Sequence, residues 1–202
     1  MQIEVNYHSS VLINDSIYID PLNITKNVMA QYVFITHPHW DHFSIKDINK
    51  IITKNTQIIC PLSMKDEINN IFDNPITFVQ PNQQYTIDGL KFSTIPSYNL
   101  DKQFHLKQYN WVGYILDING VSVTIAGDTD LTPELKKVKT DILLLPIGGT
   151  FTMDYKQAAQ AVNIIKPKKV IPVHYGEVVG NAKMAQKFKQ LINKDIECEI
   201  QI

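Results

Sequence analysis

The segment Thr36-His37-Pro38-His39-Trp40-Asp41-His42 carries the chemistry of this chain most visibly: three imidazoles and a carboxylate crowd into seven residues. It follows an apolar run, Tyr32 to Ile35. His37 and His39 are two apart, and in an extended chain alternate side chains point the same way, so both rings can reach one metal. Pro38 biases His37 away from helix and supports the extended reading. Asp41 and His42 fall where the chain must bend, which aims them at a second point nearby. Nitrogen and carboxylate donors without thiolates suit zinc, with iron or manganese as alternatives. A cluster of this kind buried without a cation would be costly.

Two further strand-like runs end in the same residue types. "VSVTIA" runs into Gly127 and Asp128, and "KKVIPV" runs into His174. Gly127 lets the backbone turn sharply, so that Asp128 faces a site. Ligands in layered α/β folds gather at the carboxyl ends of strands, so the three strand ends reinforce one another. Asp20 ends another strand, before Pro21, and is expected either to orient a ligand imidazole or to serve a plain turn. Gly148-Gly149-Thr150 could offer N–H groups to an anion or be a tight turn. Tyr98, Trp40 and Tyr175 are candidates to line a pocket, with simple packing as the alternative.

The elements needed to position these residues are legible from hydrophobic period. Strands are expected in "MQIEVNY", "SVLIN", "SIYID", "QYVFIT", "TQIIC", "ITFV", "QYTI", "LKFSTIP", "WVGYILDI", "VSVTIA", "DILLLPI", "KKVIPV" and "ECEIQI". Asp88-Gly89 and Asn119-Gly120 read as hairpin turns. Helices are expected after Ser44, with Ile45, Ile48, Ile51 and Ile52 on one face, and after Ser63. Two more cover "DYKQAAQAVNII" and "NAKMAQKFKQLI". Residues 97–110 show no period and read as a loop. The expected architecture is α/β (α+β): two mixed sheets packed face to face with helices outside, in one domain over residues 1–202.

The totals restrict function. The 202 residues are 44% hydrophobic and 19% charged, with 19 Lys+Arg against 20 Asp+Glu and a net charge of −1. No basic stretch could track a phosphate backbone, so nucleic acid is not an expected partner. Cys60 and Cys198 are too few for a disulfide framework and read as buried thiols. No secretory signal pattern and no apolar run of membrane-spanning length is evident, which sets the expected location as cytoplasmic with no membrane partner. Oligomeric state is not legible.

"THPHWDH", "AGDTD" and "VIPVHYG", in that order, resemble the metallo-β-lactamase superfamily of metal-dependent hydrolases. "YHSSVLI" with "YIDPL", "IPSYN" and "PIGGTFTMDYKQAAQAV" resemble the branch that includes L-ascorbate-6-phosphate lactonase-like proteins. The resemblance implies a four-layer αββα sandwich holding two divalent metal ions, zinc by preference and manganese or iron otherwise. It implies that His37 and His39 bind the first metal, that Asp41, His42 and His174 bind the second, and that Asp128 bridges both. Many relatives carry a further first-metal histidine where this chain has Asn99. Either Asn99 itself or His105, six residues on, would then complete the first site; His105 is otherwise a substrate contact or a surface histidine. His8 is expected to contact substrate or brace a ligand. The implied activity is hydrolysis of a small ester, lactone or phosphate ester by a metal-bound hydroxide. Asp41 and Asp128 would orient that hydroxide, and a metal-bound water, His105 or His8 would supply a proton to the leaving group. The rival readings are a degenerate protein that binds metal or ligand without turnover, and a di-iron redox protein.

Overall fold

The computed structural model describes residues 1–202. The chain forms two compact units, Met1–Gln80 and Pro81–Ile202. No helix is long and apolar enough to cross a membrane.

The first unit is built on a six-stranded mixed sheet in sequence order: β1 (Ile3–Tyr7), β2 (Ser10–Ile13), β3 (Ile17–Ile19), β4 (Tyr32–Phe34), β5 (Gln57–Pro61) and β6 (Ile76–Val79). The β1–β2 and β2–β3 pairs are antiparallel, and β3 to β6 run parallel. Every residue of β4 is buried, which is why its sequence is continuously apolar rather than alternating. Helix α1 (Ile45–Ile51) starts at Ser44, whose hydroxyl accepts from the Asp47 N–H. Ile48 and Ile51 enter the core with Val33, Ile35, Ile58 and Met64, but Ile45 is 40% exposed. It occupies the first turn, before the apolar stripe reaches the sheet. The helix expected after Ser63 is a 3₁₀ turn, Leu62–Met64, followed by a short α2 (Lys65–Ile68). Ser63 lies inside that turn and caps nothing.

The second unit carries a seven-stranded mixed sheet. Its strands are β7 (Gln84–Ile87), β8 (Leu90–Pro96), β9 (Val112–Ile118), β10 (Val121–Ile125), β11 (Ile142–Pro146), β12 (Lys169–Val173) and β13 (Glu197–Cys198). β7 to β10 form an antiparallel meander; β10 to β13 are parallel. Asn119 and Gly120 take positive φ at the tip of the β9–β10 hairpin, as the dipeptide predicts. α3 (Tyr155–Ile165) opens with a capping box between Asp154 and Gln157. It packs Ala158, Ala161 and Val162 into a core with Ala185 and Phe188 of α4 (Lys183–Leu191). The loop 97–110 contains one 3₁₀ turn, Lys107–Tyr109. The last strand is shorter than its sequence run, since only Glu197 and Cys198 pair with β12.

Candidate metal centre

In the first unit the motif 36–42 leaves the carboxyl end of β4, and His42 N–H and Phe43 N–H both bond the His39 carbonyl to close a tight turn. That turn brings the four donor residues together. His37 Nε2 and His39 Nδ1 stand 3.1 Å apart. His8, in a left-handed conformation between β1 and β2 (φ 55°), brings Nε2 to 3.2 Å from Asp41 Oδ2. His42 Nε2 lies 3.8 Å from the same oxygen. Ligand atoms of His8, Asp41 and His42 all fall within 4.8 Å of one another.

Asp20 organises this cluster from beneath. Its carboxylate is buried and accepts from the Thr36 N–H at 2.8 Å, the Thr36 hydroxyl at 2.6 Å and His42 Nδ1 at 2.8 Å. Burial pushes the Asp20 carboxyl up, and the His42 and Thr36 contacts pull against that shift. The Thr36 hydroxyl has one proton and gives it to Asp20. Its contact with His37 Nδ1 at 2.9 Å is therefore one in which the imidazole N–H donates. Asp20 thus fixes two tautomers, His42 directly and His37 through Thr36. In each ring the proton sits on Nδ1, so Nε2 keeps a lone pair suited to a metal.

In the second unit Asp128 follows β10 through Gly127, whose φ of +66° confirms the sharp turn. A Cβ there would meet Ser97 Oγ at 2.8 Å. Ser97 Oγ in turn contacts the carbonyls of Ala126 and Asp128, each at 2.9 Å, and so clamps the turn. His174 leaves β12 in a left-handed conformation (φ 56°). Its Nε2 lies 2.9 Å from Asp128 Oδ2, and His105 Nε2 lies 3.2 Å from the same oxygen. His105 is 2% exposed, so the surface alternative is excluded. Asn99 lies beside it: the Asn99 N–H donates to the His105 carbonyl at 2.8 Å, and Nδ2 stands 3.3 Å from His105 Nδ1.

These donors fit divalent metal ions. Two nitrogens at roughly 2.0–2.1 Å from one tetrahedral zinc stand about 3.3 Å apart. The observed donor pairs span 2.9 to 3.8 Å. The thiols take no part: both cysteines are buried in cores, and burial raises the pKa of each, Cys60 to about 12. Non-glycine residues in the left-handed region include His8, Asp20, His105 and His174, and such backbone strain tends to gather at functional sites.

Other candidates fall outside this set. Tyr175 is buried and donates its hydroxyl to the Ile202 carbonyl, a packing role. Tyr98 is tied to Glu134 and Lys107. Trp40 is 69% exposed. Gly149 N–H bonds the Met153 carbonyl, as in a tight turn. Gly148 is a close-approach glycine, since a Cβ would lie 2.2 Å from the His174 carbonyl oxygen. Sequence reasoning missed Thr36 and Ser97. Thr36 had a signal, a hydroxyl directly before a ligand-type histidine; Ser97 had none, because its partners lie 29 and 31 residues away.

Comparison with known proteins identifies the relatives of this chain. The profile of the Beta-lactamase superfamily domain matches residues 2–174. A UPF0173 metal-dependent hydrolase of Thermococcus onnurineus is 34% identical over 176 residues, covering 83% of this chain and 77% of the relative. The crystal structure of a protein of Parabacteroides distasonis named a metal-dependent hydrolase superposes with a TM-score of 0.84 at 28% identity, covering 98% of this chain and 91% of that one. CmlA, a diiron β-hydroxylase of Streptomyces venezuelae, shares the fold alone, with a TM-score of 0.78 at 12% identity over 99% of this chain and 52% of its own. The chain belongs to the β-lactamase superfamily and, within it, to the UPF0173 metal-dependent hydrolases.

Proposed function

We propose that the two units act as one metallo-β-lactamase-like domain. In this reading the donor sets of both serve a single dinuclear hydrolytic centre acting on a small ester, lactone or phosphate ester. The residues that would hold the ions are His37, His39, Asp41, His42, His105, Asp128 and His174. The observation that carries this reading is the Asp128 carboxylate, whose Oδ2 has two histidine Nε2 atoms within 3.2 Å. A carboxylate so placed is suited to bridging. His105 takes the role for which Asn99 was the alternative, because its ring nitrogen is the one beside Asp128.

Bound divalent ions, zinc by preference, would lower the pKa of a coordinated water to about 7 and polarise the substrate oxygen under attack. The chain's own residues do the rest. Asp20 and Thr36 hold the His37 and His42 rings with Nε2 presented. Ser97 holds the Asp128 turn. His8, whose Nε2 stands 3.2 Å from Asp41 Oδ2, would pass a proton to a leaving group. With 20 acidic against 19 basic side chains, the charge favours a small molecule over a nucleic acid.

The test is metal analysis together with turnover on a panel of ester, lactone, thioester and phosphodiester substrates. Chelation is expected to abolish hydrolysis and Asp128→Ala to lower metal content. Undiminished turnover by metal-free protein would overturn the proposal. Two bound metals with no turnover across the panel would favour the ligand-binding alternative, and an iron spectrum in protein as isolated would favour redox chemistry.

A further inference from the structure

The loop after β8 folds around one side chain. Asn99 is buried, and its backbone N–H donates to the His105 carbonyl at 2.8 Å. Its Nδ2 donates to the Phe104 carbonyl at 2.9 Å and to the Phe151 carbonyl at 2.6 Å. Both amide protons are thereby spent, and a flipped amide would set its oxygen against two carbonyl oxygens, so the orientation is fixed. The Phe104 carbonyl belongs to the peptide group that enters His105, and the His105 carbonyl to the one that leaves it. One residue therefore grips the peptide planes on both sides of His105. Since φ and ψ are the only soft torsions between those planes, holding both sets the direction in which the side chain departs. The backbone requires such a grip: His105 sits at φ 55°, a region that non-glycine residues keep only where the surroundings over-determine it. The ring is confined as well. Asn99 Nδ2 stands 3.3 Å from its Nδ1, and Trp111 meets it edge-to-face with centroids 5.5 Å apart. The bond to Phe151 ties the loop to the segment after β11, where the Phe104 and Phe151 rings also meet edge-to-face at 4.9 Å.

We propose that Asn99 is a positioning residue that aims the His105 imidazole at the point beside Asp128 where a divalent ion would bind. The His105 Nε2 so aimed lies 3.2 Å from Asp128 Oδ2. The residue type follows from the task. Asparagine offers two N–H donors from one atom, whereas an aspartate of the same size offers none and would present oxygen to both carbonyls. A metal ligand has to be held to within about 0.5 Å by the groups around it. The inference rests on the reading of His105 as a metal ligand, and the experiment separates the two.

The test is a double-mutant cycle on the full chain. Zinc affinity is read by competition with a chromophoric chelator, and circular dichroism checks the fold. His105→Ala should weaken zinc binding because a donor is gone. Asn99→Ala should weaken it about tenfold with every proposed ligand still present. In the His105→Ala background, Asn99→Ala should change the affinity by less than about twofold, because the ring it positions is already absent. A loss of equal size in both backgrounds would mean that Asn99 supports the fold alone, and would overturn the proposal. A loss in His105→Ala with none in Asn99→Ala would also overturn it and leave His105 standing as a ligand. Undiminished zinc binding by His105→Ala would overturn the ligand reading, and the proposal with it. Asn99→Asp, which keeps the shape and removes both donors, takes the place of Asn99→Ala if that variant misfolds. In the wild-type chain, both side-chain amide protons of Asn99 should exchange slowly with solvent by NMR, and rapid exchange of either would overturn the grip on which the proposal stands.

Discussion

Replacing Asp20 by Asn tests the tautomer argument without removing a single proposed ligand. The aspartate accepts three hydrogen bonds: from Thr36 N–H, from the Thr36 hydroxyl and from His42 Nδ1. An asparagine can meet only part of that demand. If its oxygen faces Thr36 N–H, its NH₂ faces His42 Nδ1 and the Thr36 hydroxyl. His42 must then move its proton to Nε2, and the Thr36 hydroxyl, no longer donating to residue 20, turns its proton to His37 Nδ1. Both rings would lose the Nε2 lone pair. If the amide flips, its NH₂ opposes the Thr36 N–H, leaving buried donors unfilled at about 1–3 kcal/mol. Loss of a carboxylate that orients a ligand imidazole costs about 10–100-fold in metal affinity, or about 1.4–2.7 kcal/mol. The assay is zinc affinity by competition with a chromophoric chelator, alongside circular dichroism to confirm the fold. Thr36→Val should give a smaller loss, since it cuts the relay to His37 and keeps the Asp20–His42 bond. An Asp20→Asn protein that is folded and binds zinc within about twofold of wild type would refute the reasoning.

Gly148→Ala forces a Cβ to 2.2 Å from the His174 carbonyl oxygen and 2.7 Å from Val179 Cγ1. Such overpacking should cost about 1–3 kcal/mol in denaturant unfolding, and unchanged stability would contradict the close approach. Cys60, wholly buried with its thiol pushed up to about 12, should resist a colorimetric thiol reagent at pH 8 and react only on unfolding. The Lys168 ammonium and Ser122 donors beside Asp141 hold its carboxyl well below its ordinary value of 3.8. A folded-state pKa below the unfolded one means the contribution is present above about pH 4 and is lost as pH falls through the acid range. Asp141→Asn should therefore flatten the acid limb of a stability-against-pH curve, and a parallel curve would count against the contact.

The parts of this protein governed by local rules could be read from its sequence. The continuous apolar run of β4, the Asn119-Gly120 hairpin and the Ser44 cap all depend on neighbours within a few positions, so they emerge without coordinates. The donor residues were legible for the same reason: His37, His39, Asp41 and His42 are consecutive enough to announce themselves, and Asp128 and His174 sit at strand ends. What escaped depends on distant partners. Ser97 clamps a turn some thirty residues away, and the amide of Asn99 is set by Phe151, 52 positions on. Ser63 and Ile45 were misread because capping and amphipathic patterns mark where a helix can begin. They do not say whether its first turn is 3₁₀ or which residue lies beyond the sheet. Residue 99 stood as the alternative to His105 for the first metal because the type of side chain was visible and its orientation was not.

The central claim is that two divalent ions lie among these histidines and aspartates. Anomalous diffraction from crystals of the zinc-loaded protein tests it most directly. The account predicts two peaks, each with imidazole nitrogens within about 2.0–2.1 Å, and with Asp128 contacting both. One ion alone, or ions bound away from Asp128 and His174, would contradict it.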